Sequence, residues 1–135
     1  MTKATVTRLF VGSLIAFGAG AIVAIMAIGI AMANDVFVME GDDIVAIQGG
    51  TLGWALIWLI VVGALAAAGG VIAGFVAWIG AVLNTWQLDS KAWFVGLLLL
   101  GIFNFGFIAM IAYVIAGPDG KAAAAARISP APVGA

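Results

Sequence analysis

The sequence contains no cysteine and no histidine. Without cysteine there is no disulfide, no thiolate metal site and no dithiol redox motif. Without histidine the commonest general base, metal ligand and haem ligand is missing. Charge is scarce too: 8% of residues are Asp, Glu, Lys or Arg, against about 25% in a soluble domain. The net charge of −1 leaves no basic footprint for nucleic acid. None of the three long apolar stretches contains a charged residue. Proton relays and coupled transporters need such groups within the membrane, so these plans are excluded. A small multidrug transporter, for instance, needs a carboxylate in its first span. Catalysis needs a positioned acid, base, nucleophile or metal. The expectation is a protein that is not an enzyme and binds no cofactor, no metal and no nucleic acid.

What is present is apolar. Hydrophobic residues make up 66% of the 135, and the mean hydropathy is +1.30. Such a chain cannot cover itself with polar groups, so its solvent is largely the lipid bilayer. The apolar stretches run over 9–33, 53–86 and 92–116. Each exceeds the roughly 20 residues that carry a helix across about 30 Å of hydrocarbon. In lipid the backbone must satisfy itself within the segment, so each stretch is read as a helix. The expected fold is an all-α membrane protein with three transmembrane helices in one domain over 1–121. A flexible tail over 122–135 completes the chain.

Aromatic spacing supports the count. Trp58 and Trp78 lie 20 residues apart, as do Trp93 and Tyr113. At 1.5 Å per residue this is about 30 Å, the separation of the two interfacial belts. All four are expected as interface anchors. A four-span alternative breaks the second stretch at Gly69-Gly70 and leaves halves of about 16 residues, which is short for a span.

The stretch 34–50 has another character. Val36-Phe37-Val38-Met39 and Ile44-Val45-Ala46-Ile47 flank Glu40-Gly41-Asp42-Asp43. Two runs rich in β-branched residues around a turn cluster read as a short extramembrane β-hairpin. The competing reading is an irregular acidic loop. The acids between 35 and 43 do not follow the twelve-residue spacing of a calcium-binding EF-hand loop. Met26, Met32 and Met110 read as packing residues. A basic start at Lys3 and Arg8 and the small residues near Ala33 resemble a secretory signal. The apolar region is about 25 residues, however, against 7–15 for a signal core. With three spans, an N-terminus inside places three basic residues inside, and the reverse places two. The positive-inside rule then favours a cytoplasmic N-terminus with 34–50 outside, in a multi-pass protein of a bacterial plasma membrane.

Gly12, Ala16, Gly20 and Ala24 recur at intervals of four, as do Ala66, Gly70 and Gly74. Small residues four apart let helix backbones approach closely. One stripe closes the internal bundle and another is left for a neighbour, so replacing Gly70 and Gly74 with Leu is expected to release a partner. Asn104 is the single amide near the middle of any stretch. It is expected to face protein, with pore or ligand contact as the alternative. Asn84, Thr85 and Gln87 read as interfacial.

Trp78, Lys91, Trp93, Tyr113 and Gly117-Pro118 together resemble the two-helix membrane module at the N-terminus of cardiolipin-synthase-type phospholipase D proteins. The resemblance covers about a third of the chain and implies architecture alone. The last helix lacks the expected proline, and no catalytic HKD motif comes after it. The Ala/Gly/Val-rich style is similar to small accessory subunits of actinobacterial respiratory complexes. The expectation is a non-catalytic accessory or assembly subunit of a larger membrane complex, with other membrane subunits as partners and a respiratory-chain complex as the first host. The alternative is a homo-oligomeric pore or holin-like protein.

Overall fold

The computed structural model describes residues 2–87 and 91–120. The expected tail over 122–135 lies outside them. The chain is mostly helical, with a small two-stranded sheet between its two long helices. In order come α1 (Lys3–Ala33), β1 (Phe37–Glu40), β2 (Asp43–Ile47), α2 (Gly50–Gln87), α3 (Lys91–Ile102) and α4 (Gly106–Ala116). It divides into two compact units: Gly12–Ile72, and the residues up to Val11 together with those from Ala73 onward.

By length and composition α1 and α2 could each cross a membrane. At 31 and 38 residues they are about 46 and 57 Å long. α2 runs through Gly69-Gly70 without a break, so the four-span division does not occur. The third apolar stretch corrects the expectation. It forms no single helix over 92–116 but two short ones, of 12 and 11 residues. Neither reaches the length of a span.

In the Gly12–Ile72 unit, α1 and α2 meet backbone to backbone. A Cβ on Gly20 would lie 2.5 Å from the Gly63 carbonyl oxygen, and one on Gly63 would lie 2.7 Å from the Gly20 oxygen. A Cβ on Gly70 would lie 2.5 Å from the Phe17 nitrogen. The seam does not follow the intervals of four in the sequence. Buried positions of this unit on α1 are Ser13, Gly20, Ala27 and Ala31. On α2 they include Leu56, Gly63 and Gly70. These spacings are mostly steps of seven. A step of four residues turns about 400° around a helix, so a strict i+4 row drifts off the contact face. Alternating steps of three and four stay on it. Gly12, on the expected stripe, is therefore exposed, with open space beside it, and Ala66 is exposed as well. Ala16, Ala24 and Gly74 are half-buried. Gly70 packs on α1 of its own chain, so a bulky residue there would part α1 from α2 rather than release a partner.

α1 ends in a Schellman motif. Asp35 adopts φ 50°. Its N–H bonds Met32 O at 3.3 Å, and the Val36 N–H bonds Ala31 O at 3.0 Å. The apolar contact that accompanies this motif is present, since Val36 and Ala31 share a buried cluster with Ala27 and Leu56. The Asn34 amide donates to Ile30 O at 2.8 Å. The 34–50 stretch then forms the expected hairpin. Its antiparallel register pairs Phe37 with Ile47 and Glu40 with Asp43, around Gly41 at φ 68°. The register shifts between Val38 and Met39, with Val45 the extra residue on β2. Most of the ribbon is exposed, including Met39, Ile44, Val45 and Ile47.

Replacing Gly70 with Ala should destabilise the protein by about 1–3 kcal/mol, because the new methyl meets backbone that cannot rotate away. Gly69→Ala, which faces open space, should leave stability equal or slightly raised. Thermal unfolding of the two variants in the same detergent checks this.

Candidate functional site

In the second unit, side chains of α1 and α2 make specific polar contacts with a hairpin of α3 and α4. The reversal between these helices is a second Schellman motif. Asn104 takes φ 66°. Its N–H bonds Gly101 O at 3.2 Å, and the Phe105 N–H bonds Leu100 O at 2.7 Å. Asparagine, with glycine, is the residue that enters the left-handed region with least strain, so it ends α3 here. α4 starts two residues later with Phe105 at its N-cap, where there is no side-chain hydrogen bond.

The hairpin returns to where it began. The Trp93 and Tyr113 rings meet edge to face with centroids 6.4 Å apart. The 20 residues between them therefore do not separate two interfacial belts, and the expectation of opposite anchors fails for this pair. An apolar cleft of about 180 Å³ lies between the two helices, lined by Trp93, Leu97 and Leu100 on α3 and by Ala109 and Ala112 on α4.

Three contacts hold the hairpin to the long helices. The Trp78 indole N–H donates to Leu97 O at 3.0 Å. The ring fits because position 101 has no side chain: a Cβ on Gly101 would fall inside the indole. Trp78 is thus half-buried and bonded to α3 rather than standing as a free interface anchor. The Asn84 amide donates to the Tyr113 hydroxyl at 2.7 Å. Thr85, beside it, donates to Val82 O at 2.9 Å. Asn84 and Thr85 are buried. A buried amide and phenol that bond each other are costly to separate, because each would keep its desolvation penalty. Finally, the Lys3 ammonium donates to Gly117 O at 2.7 Å. A cation there also complements the negative end of the α4 dipole. Phe10 and Phe107 add a tilted ring contact at 6.0 Å.

The other expected site residues lie elsewhere. Trp58 is 65% exposed on α2. Asn104 is exposed at the hairpin tip, and among the described residues it is not buried against another helix as expected. Its glycine-like backbone role, and the burial of Asn84 against Tyr113, escaped the sequence reading. The signal available was Gly101-Ile102-Phe103-Asn104-Phe105-Gly106, an amide between two glycines.

Among the described residues no group of three or more Asp or Glu is arranged so that it could hold a metal ion. The arrangement offers hydrogen bonding, ring packing and helix capping, all of it spent inside the chain. No protein-family model, curated protein or solved structure matches the chain. The likeness to the phospholipase D membrane module rests on Trp78, Lys91, Trp93, Tyr113 and Gly117-Pro118 alone.

Replacing Tyr113 with Phe should leave the Asn84 amide unpaired and cost about 1–3 kcal/mol. Asn84→Leu combined with Tyr113→Phe should cost less than the sum of the two single changes. A double-mutant cycle on detergent unfolding midpoints checks this.

Proposed function

We propose that this chain is an integral membrane protein with a non-catalytic role, an accessory or assembly subunit that packs against other membrane-embedded chains. The observation that carries this is the exposure of its long helices. α1 and α2 are apolar along their length, yet Ile15, Ile25, Leu65 and Ile72 are each at least 65% exposed. They are not core helices of a water-soluble fold. Their surface has to meet lipid tails or protein, because in water it would form an apolar patch far beyond the few hundred Å² that soluble monomers show. The specific polar contacts of the second unit are internal, which leaves binding through shape as the main activity open to the chain.

The membrane arrangement that fits is two spans and a re-entrant hairpin. α1 and α2 cross. α3, at 12 residues, penetrates about 18 Å, roughly half of the hydrocarbon thickness, and α4 brings the chain back. The contact of Lys3 with Gly117 ties the start of α1 to the end of this hairpin. Lys3, Arg8 and Lys91 then share one side, and Lys121 and Arg127 come after α4 in the sequence with no further span between. Asp35, Glu40, Asp42 and Asp43 sit on or beside the β-hairpin that joins the opposite ends of α1 and α2. All 5 basic residues thus fall on one side. The positive-inside rule, nearly balanced for three spans, becomes one-sided and puts that side in the cytoplasm.

Single cysteines test the arrangement, since the natural chain has none. Asp42→Cys should react with a membrane-impermeant maleimide in intact cells, and Gly120→Cys only after permeabilisation. Labelling of both from outside would restore three spans. Native mass spectrometry after mild solubilisation tests the role. A stoichiometric set of other membrane subunits is the expected result, and the chain alone would remove the accessory reading.

A further inference from the structure

The cleft between α3 and α4 has a shape and a lining that suit one kind of molecule. Its volume of about 180 Å³ is spread from Ala92 to Leu100 on α3 and faces Ala109 and Ala112 on α4. Eight residues of helix are about 12 Å, so the space is a narrow slot that runs with α3. Gly96 and the alanines leave the room, and Leu97 and Leu100 supply apolar surface. The lining is almost entirely apolar. A trapped water needs two to four polar partners, and the slot does not supply them. An apolar cavity of about 150 Å³ takes a benzene molecule, so this one takes roughly six or seven carbons.

Charge marks one end of the slot. Lys91 directly precedes Ala92 and is exposed. On the two-span reading proposed for this chain, on which this inference rests, that end lies at the cytoplasmic surface. Lys3, Arg8, Lys121 and Arg127 share the side with it, against Asp89 and Asp119. Asp35, Glu40, Asp42 and Asp43 fall on the other side. The mouth of the slot is thus electropositive, and the positive end of the α3 dipole adds to it. We propose that the slot holds one acyl chain of an anionic phospholipid, with the lipid phosphate against the Lys91 ammonium. An unbranched chain is narrow enough to enter, and in the bilayer it already lies along the direction of α3. A fused-ring lipid is too wide. A helix of another subunit presents its side chains only once per turn of about 5.4 Å, which leaves stretches of the slot empty. The acyl chain fills it continuously and restores the dispersion contacts that the lining lacks. The lipid then bridges α3 and α4 along the length of the slot.

The test titrates the full chain, in mild detergent, with phosphatidylglycerol or with phosphatidylcholine of the same acyl chains. Native mass spectrometry reads the lipid bound. The expected result is one phosphatidylglycerol per chain, held about tenfold more tightly than phosphatidylcholine, as a charge-assisted contact to one lysine would give. Lys91→Gln should erase that preference and leave phosphatidylcholine binding unchanged. Gly96→Leu puts a side chain into the slot. A Cβ there meets nothing within 4 Å, and leucine favours a helix more than glycine does, so the variant should unfold at or above the temperature of the natural chain without lipid. It should bind both lipids about tenfold more weakly, because the leucine occupies the space of the acyl chain. Equal affinity of the natural chain for the two lipids overturns the headgroup contact. Undiminished phosphatidylglycerol binding by folded Gly96→Leu overturns the slot. The arrangement in the membrane is read separately, by the labelling at 42 and 120. If that labelling restores three spans while Gly96→Leu still loses phosphatidylglycerol, the two-span reading falls and the lipid slot is supported.

Discussion

A backbone amide inside an apolar chain has few places to go, and this constraint runs through the whole architecture. Helices satisfy it along their length, but each end leaves carbonyls and N–H groups without a partner. α1 and α3 meet the problem in the same way. Each folds its last carbonyls back onto the next N–H groups through one residue with positive φ, Asp35 in one case and Asn104 in the other. The outcomes diverge at the very next residues. After Asp35, Val36 buries itself against Ala31 and the chain enters an antiparallel ribbon. After Asn104 come phenylalanine and glycine, and the chain turns back as a helix.

Close packing is achieved by omission as much as by fit. Gly20 and Gly63 let two backbones touch, and Gly101 leaves room for an indole ring. In lipid the attraction between helices comes from dispersion and hydrogen bonds rather than water exclusion, so a missing methyl strengthens a contact by shortening it. The Trp78 bond to Leu97 O depends on the same device, since the ring reaches the carbonyl only across a bare glycine.

The long helices and the ribbon were legible because their signals are dense. Long apolar stretches without a charge, or β-branched runs around Glu-Gly-Asp-Asp, leave little competition. The seam was half legible. The small residues were visible, but the interval of four suggested by Gly12, Ala16, Gly20 and Ala24 is not the interval at which two helices stay in contact. The third stretch misled because hydropathy measures affinity for lipid and is blind to direction. Trp93 and Tyr113 at 20 residues suit a straight helix and a folded one equally. The difference lies in the φ of Asn104, which composition does not encode. Asn84 and Tyr113 are 29 residues apart, and only the reversal brings them together.

The brevity of α3 and α4 bears on how the protein is made. Each is about half a membrane-spanning length, so on the proposed two-span arrangement neither half would partition stably by itself as it leaves the ribosome. The pair can pack in place only after α2 has delivered Trp78 and Asn84 to receive it. The order of synthesis and the order of assembly then coincide. The α3–α4 hairpin is placed after α2, and it is held by side chains that α2 already presents.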